Sequence, residues 1–250
     1  GLVSFFFLEK YIYLYKPAIY NNKKYFFLIY VSFLIVIGLA KLLQSIHLDN
    51  LEANLAYFVP ITIATLLISL LISANVSIIC GIIISSFIVM MFNFDLPLFF
   101  YLLFSSFVAS FSTYRSYKRN ELIKSGYIIG LGNIGFIVLT GLLKEINVLS
   151  WYSYNMIIGF GSGVISSMIT LAIIPYFESI FQITTPQKLL EYSDLKHPLL
   201  KRLMITAPGT HQHSMMVANL AEAAAEAINA NIVLARIGSY FHDIGKIKRP

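Results

Sequence analysis

The sequence predicts an all-α protein: a polytopic transmembrane helical bundle that leads into the first helices of a second, water-facing domain. Three observations predict it. Hydrophobic residues make up 58% of the 250 positions and charged residues only 12%, about half the charge of an average soluble domain. That charge is uneven, with ten Lys/Arg and seven Asp/Glu in residues 1–180 against eight and five in residues 181–250. Apolar runs of near-spanning length fill the first part and stop near residue 180. The change marks a change of solvent, from bilayer to water.

A spanning helix needs roughly 20 mostly apolar residues, since the hydrocarbon core is about 30 Å thick and each residue rises about 1.5 Å. Six runs approach that length: 25–46, 55–73, 76–92, 96–112, 125–143 and 153–175. The apolar stretch 1–8, extended toward Tyr15, reads as the remnant of a seventh, and the chain as a fragment cut on its N-terminal side. None of the runs alternates with a two-residue period, so helices are expected throughout. These runs divide the chain into a transmembrane region over 1–180, connector helices over 181–206, and the start of a second domain over 207–250.

Loop charges set the orientation. Segment 16–24 holds Lys16, Lys23 and Lys24, and segment 113–124 holds Arg115, Lys118, Arg119 and Lys124 against Glu121. The alternating segments 47–54, 93–95 and 144–150 carry Asp49, Glu52, Asp95, Lys144 and Glu145 instead. Lys/Arg-rich loops face the cytoplasm. Counting spans from either basic segment puts everything after about residue 180 on the cytoplasmic side of a cell membrane.

Several alternatives are excluded. The net charge of +6 comes from cations scattered between apolar runs, so no nucleic-acid polymer is expected as a partner. The single cysteine, Cys80, lies within an apolar run and rules out a disulfide framework or zinc knuckle. Gly130-Leu131-Gly132-Asn133-Ile134-Gly135 matches the dinucleotide fingerprint letter for letter, but lacks the strand before it and the acid about 20 residues on. Glycines 126, 130, 135, 159 and 163 are better read as points of close helix approach. Glycine-lined spans also leave a homodimer open as a partner. Of the polar residues within spans, Asn75, Asn133 and Glu178 stand out, and Glu178 is expected to reach water at the exit of the last span. So little intramembrane charge fits a receiver or anchor better than a transporter.

After Phe181 the pattern becomes that of short amphipathic helices. Thr185 is a natural N-cap with Pro186 at the first helical position, opening a helix to about 193. Pro198–Leu203 forms a second short piece, and Ala207-Pro208-Gly209-Thr210 reads as a turn. A helix then runs from about Met215 to Ile228, Asn229 breaks it, and another covers about 232–242. In an antiparallel hairpin of these two helices, about 24 and 17 Å long, His213 at the start of one meets His242 and Asp243 at the end of the other. Imidazole nitrogen with carboxylate oxygen suits Fe, Mn or Zn, and an Asp next to a His can bridge two metals. His47, His197 and His211 are read as structural.

Residues 184–250 closely resemble the HD hydrolase superfamily, and specifically the bacterial seven-transmembrane HD hydrolases that act as cyclic di-AMP phosphodiesterases. The matching stretches are PYFESIF (175–181), TTPQKLLE (184–191), PLLKRL (198–203), APGT (207–210), VANLAEAAAE (217–226) and HDIGKIKRP (242–250). The span pattern extends the resemblance loosely over the whole chain. Two positions depart from it: His211, where Tyr is expected, and Asn229, where Gly is expected.

The resemblance implies the first helices of an all-helical HD domain and a site for two divalent metal ions, iron or manganese, that opens cyclic di-AMP to linear pApA. By position it makes His213 the first metal ligand, His242 the second and Asp243 the bridging carboxylate, with Lys246 supplying positive charge near the substrate phosphate. It also places further ligands beyond Pro250 and a sensor domain upstream, so residues 1–250 alone are expected to be inactive. An HD hydrolase of another nucleotide, or an HD receptor that binds a nucleotide without cleaving it, are the alternative readings.

Overall fold

Helices are the only regular elements among the described residues, as long apolar runs require where lipid offers backbone groups no partners. The computed structural model describes residues 2–46, 55–113, 119–146 and 148–248. Segments 47–54 and 114–118, with His47, Asp49, Glu52, Arg115 and Lys118, lie outside them, as does Pro250. The chain divides into two units, Gly1–Ile183 and Thr184–Pro250.

The first unit comprises α1 (Leu2–Tyr15), α2 (Pro17–Tyr20), α3 (Lys23–Ser45), a 3-10 turn (Leu55–Phe58), α4 (Ile61–Leu71), α5 (Ala74–Met91), α6 (Leu96–Ser112), α7 (Arg119–Leu143) and α8 (Leu149–Phe181). By length and composition, four of these helices, within Lys23–Ser45, Ala74–Met91, Asn120–Leu143 and Leu149–Phe181, can cross a membrane. This is a membrane protein with a polytopic helical bundle.

The 96–112 run does form its helix, over Leu96–Ser112 and 17 residues long, about 25 Å and at the short end of spanning length. One of the six predicted runs differs from expectation. The 55–73 run is broken at Val59-Pro60, where proline lacks the N–H that a continuous helix would need. Beyond the break, α4 is only 11 residues long, with Ile61 through Ile68 all buried. Its apolarity serves an internal core helix that is covered by neighbours.

Helices α7 and α8 lie antiparallel in backbone contact. Gly126 faces Ser167, Gly130 faces Phe160, and Gly141 faces Tyr152. A Cβ on Gly163 would stand 2.6 Å from the Gly130 nitrogen, so only glycine permits this approach. Asn133 adds a polar tie, donating from Nδ2 to the Gly159 carbonyl at 3.0 Å. The expectation for Gly135 was wrong, because open space surrounds it. The dinucleotide-like motif thus sits inside one helix, with its first glycine used for packing.

Glu178 also departs from expectation. It shares a face with Ile174, Phe177 and Phe181, all buried, and is itself 6% exposed. Helical spacing turns it inward before it can reach water. Asn75 is exposed. Past Glu178, Gln182 takes a left-handed conformation (φ 54°) and the Ile183 N–H donates to the Glu178 carbonyl at 3.1 Å, closing α8 with a Schellman-type cap. Lys24 Nζ donates to Gln182 Oε1 at 2.9 Å. The basic start of α3 and the end of α8 therefore share one end of the bundle.

Replacing Gly163 by Val is expected to destabilise the first unit by about 1–3 kcal/mol through overpacking, whereas Gly135→Ala should be neutral or stabilising by up to about 1 kcal/mol. Thermal unfolding in detergent, comparing the Tm of both variants with the parent, checks the pair. Equal Tm values for the two would contradict the assigned contact.

Candidate metal centre

Four helices build the second unit: α9 (Pro186–Tyr192), α10 (Pro198–Thr206), α11 (Pro208–Ala227) and α12 (Ile232–Phe241), followed by a 3-10 turn (Ile244–Ile247). Side-chain caps start three of them. Thr185 Oγ1 accepts from the Lys188 N–H at 3.1 Å, His197 Nδ1 from Leu199 at 3.3 Å, and Asn231 Oδ1 from Leu234 at 3.0 Å, each satisfying a donor that the helix start leaves open. Leu200, Ala218 and Tyr240 form the core between α10, α11 and α12.

The α11–α12 hairpin is set by its turn. Asn229 is left-handed (φ 53°), its N–H donates to the Glu226 carbonyl at 3.1 Å, and Ala230 N–H donates to Ala225 at 2.8 Å. Asn is one of the few residues with a side chain that tolerate this conformation, which explains how the chain replaces the expected glycine. Across the hairpin, Arg236 Nε donates to Glu222 Oε2 at 2.8 Å. The sequence reading missed this pair. Its signal is placement, since the two residues stand symmetrically about Asn229 on facing helices.

One predicted boundary needs correction. Helix α11 starts at Pro208, with Ala207 as its N-cap, and not near Met215. Proline in Ala207-Pro208-Gly209-Thr210 opens a helix because its fixed φ and missing N–H suit the first helical position. His213 consequently projects from the second turn of α11. His242 caps α12, and Asp243 precedes the 3-10 turn.

The hairpin brings the three together. One ligand atom each from His213, His242 and Asp243 lies within 4.8 Å of the others, and the two imidazole centroids are 5.6 Å apart. Ligand atoms this close together make the set a candidate site for a metal ion. Both histidines are exposed and Asp243 is partly buried. His242 Nδ1 lies 2.8 Å from the Ser239 carbonyl. A carbonyl can only accept, so Nδ1 carries the proton and Nε2 keeps its lone pair for a metal. The sequence reading missed Ser239, since a backbone acceptor leaves no residue-type signal.

Lys246 joins the cluster, with Nζ 2.8 Å from Asp243 Oδ2. Its hydrogen bond, together with its charge and the nearby histidines, holds the Asp243 carboxyl below the usual carboxylate range. The interaction is therefore fully present above the ordinary carboxylate pKa and is lost as pH falls through the lowered value. The other described histidines, His197 and His211, stay apart from the cluster. His197 packs its ring against Phe241 at 5.3 Å besides capping α10, and His211 is half-buried on α11.

Comparison with known proteins gives matches over both units of the chain. Residues 1–185 match the family described as 7TM receptor with intracellular HD hydrolase, and residues 210–250 match the HD domain. Among curated proteins, the cyclic-di-AMP phosphodiesterase PgpH of Bacillus subtilis is 35% identical over 90% of this chain and 32% of its own length. PgpH of Listeria monocytogenes is 34% identical over 79% of this chain and 28% of its own. An uncharacterised protein of Synechocystis is 36% identical over 53% of the chain and 17% of its own length. The chain thus spans about a third or less of the length of these relatives. No solved structure matches it.

Lys246→Met should raise the Asp243 carboxyl toward the ordinary carboxylate range in metal-free protein. A carboxyl-carbon NMR titration of parent and variant reads this directly, and an unchanged midpoint would remove Lys246 as the cause.

Proposed function

The chain belongs to the family of seven-transmembrane receptors with an intracellular HD hydrolase, and we propose that it forms the membrane anchor and first part of the metal site of a cyclic di-AMP phosphodiesterase that yields pApA. The observation that carries this reading is the convergence of His213, His242 and Asp243, with Lys246 on the same carboxylate. Two relatives named as cyclic-di-AMP phosphodiesterases support the substrate.

HD hydrolases use divalent metals, and the mixed nitrogen and oxygen donors suit two ions of iron or manganese. Bound there, the ions would polarise phosphoryl oxygens and supply hydroxide from water near neutral pH. His213 and His242 each offer one imidazole nitrogen. Asp243 meets Lys246 through Oδ2, and its two oxygens let it serve as the bridging ligand. Lys246, whose side chain is 52% exposed, keeps a compact positive charge at the rim for a substrate phosphate. The Ser239 carbonyl fixes the ring of His242 in the tautomer that ligation needs.

The same reading places the HD part in the cytoplasm. Lys16, Lys23 and Lys24 cluster at the end of the bundle where Lys24 meets Gln182, next to where the second unit begins in sequence. Basic segments favour the inner face. A homodimer in the membrane would use faces other than Gly126, Gly130 and Gly163, which serve contacts within one chain.

Asp243→Asn in the full-length protein is expected to lower cyclic di-AMP hydrolysis by more than the roughly 10–100-fold that loss of an outer-shell partner costs, together with bound manganese measured by elemental analysis. Parent-like turnover with parent-like metal content would overturn the site. Hydrolysis of cyclic di-GMP in place of cyclic di-AMP would overturn the substrate alone. For orientation, a cysteine at the exposed Thr206 should escape a membrane-impermeant maleimide in intact cells and react after lysis. Labelling of intact cells would put this part outside.

A further inference from the structure

The hydrolase reading leaves unused a cleft at the basic end of the first unit. Residues 9–25 combine Tyr11, Tyr13, Tyr15, Tyr20 and Tyr25 with Lys10, Lys16, Lys23 and Lys24. Tyrosine and lysine together mark the level of lipid headgroups, where amphipathic rings and ammonium groups meet both solvents. The rings pack on one another here, Tyr11 on Tyr15 at 5.1 Å and Tyr13 on Tyr20 at 5.0 Å.

Between α1 and α3, beneath this belt, lies a cleft of about 420 Å³, within the range of about 300–1,000 Å³ usual for small-molecule sites. Phe5, Leu8, Phe26 and Ile29 form an apolar wall, and Tyr20 of α2 closes one side. Glu9 and Lys23 also line it, and both are exposed. Neither pairs with the other or with any other described residue, whereas the neighbouring Lys24 is engaged by Gln182. Both side chains line the one cleft, so the carboxylate and the ammonium can meet the same headgroup.

An apolar wall ending in one unpaired carboxylate and one unpaired ammonium is the complement of a zwitterionic amphiphile. We propose that this cleft binds one molecule of phosphatidylethanolamine from the surrounding leaflet. Its phosphate meets Lys23, its primary ammonium donates to Glu9, and an acyl chain lies along Phe5, Leu8, Phe26 and Ile29. The chemistry discriminates between lipids. Phosphatidylcholine has a quaternary ammonium with no N–H to donate, and phosphatidylglycerol brings no cation to Glu9. The proposal is independent of the metal site.

The test is lipid retention by the full chain, purified from nanodiscs containing equal amounts of the three lipids and read by native mass spectrometry. One phosphatidylethanolamine per chain should persist, with about tenfold preference over phosphatidylcholine, the worth of one charge-assisted hydrogen bond. Glu9→Gln should abolish that preference, and Lys23→Gln should weaken retention of all three. Equal retention by parent and variants, or preference for phosphatidylglycerol, would overturn the assignment. Should either variant fail to fold, a photoreactive phosphatidylethanolamine on the parent decides the matter. Cross-linked peptides within residues 5–29 support the cleft, and cross-links confined to other helices refute it.

Discussion

His213 and the His242–Asp243 pair meet only because α11 and α12 fold back on each other, and that reversal rests on a few atoms at Ile228–Asn231. The left-handed Asn229 and the Ala230–Ala225 hydrogen bond close α11, and Asn231 caps the start of α12. Glu222 and Arg236 then hold the facing helices in register. Arg236 Nε and Nη2 both donate to the one oxygen Oε2 of Glu222, a charge-assisted contact stronger than a neutral hydrogen bond. Each step of the candidate chemistry depends on this register, because a slip of one residue turns a helical side chain by about 100° away from its partner.

Below the candidate ligands the support is more ordinary. Leu200, Ala218 and Tyr240 bury the inner faces of three helices, and His197 joins α10 to the end of α12 by capping one and packing on the other. The Ser239 carbonyl orients His242. Such outer partners set which nitrogen is free and where it points, which is why metal sites depend on more than their ligands.

The membrane unit solves a different problem. Apolar side chains gain little by associating within lipid, so close packing and buried hydrogen bonds must hold the helices together. The α7–α8 pair uses glycine for the first and Asn133 for the second. Elsewhere Ser77 Oγ lies 2.8 Å from Ser110 Oγ, and Tyr101 donates to the Tyr57 carbonyl at 2.8 Å. Around these ties α4 sits as a fully packed core helix.

Much of this was legible in the sequence. Composition and run length determined an all-α membrane chain, because lipid forbids unpaired backbone. The caps at Thr185 and Asn229 were readable because their chemistry is local. The convergence of His213, His242 and Asp243 was readable because a hairpin of two helices with known rise has few alternatives. Tertiary structure decided what depends on neighbours. Hydropathy alone does not tell a lipid-facing helix from a buried one, so only packing revealed α4 as internal. Gly130 and Gly135 look alike in sequence, and only the position of α8 separates a close contact from open space. Glu178 turned inward because its helical face was already committed to the core. The Glu222–Arg236 pair and the Ser239 carbonyl join residues far apart in sequence or without a distinctive side chain, so their roles exist only once the helices are in place.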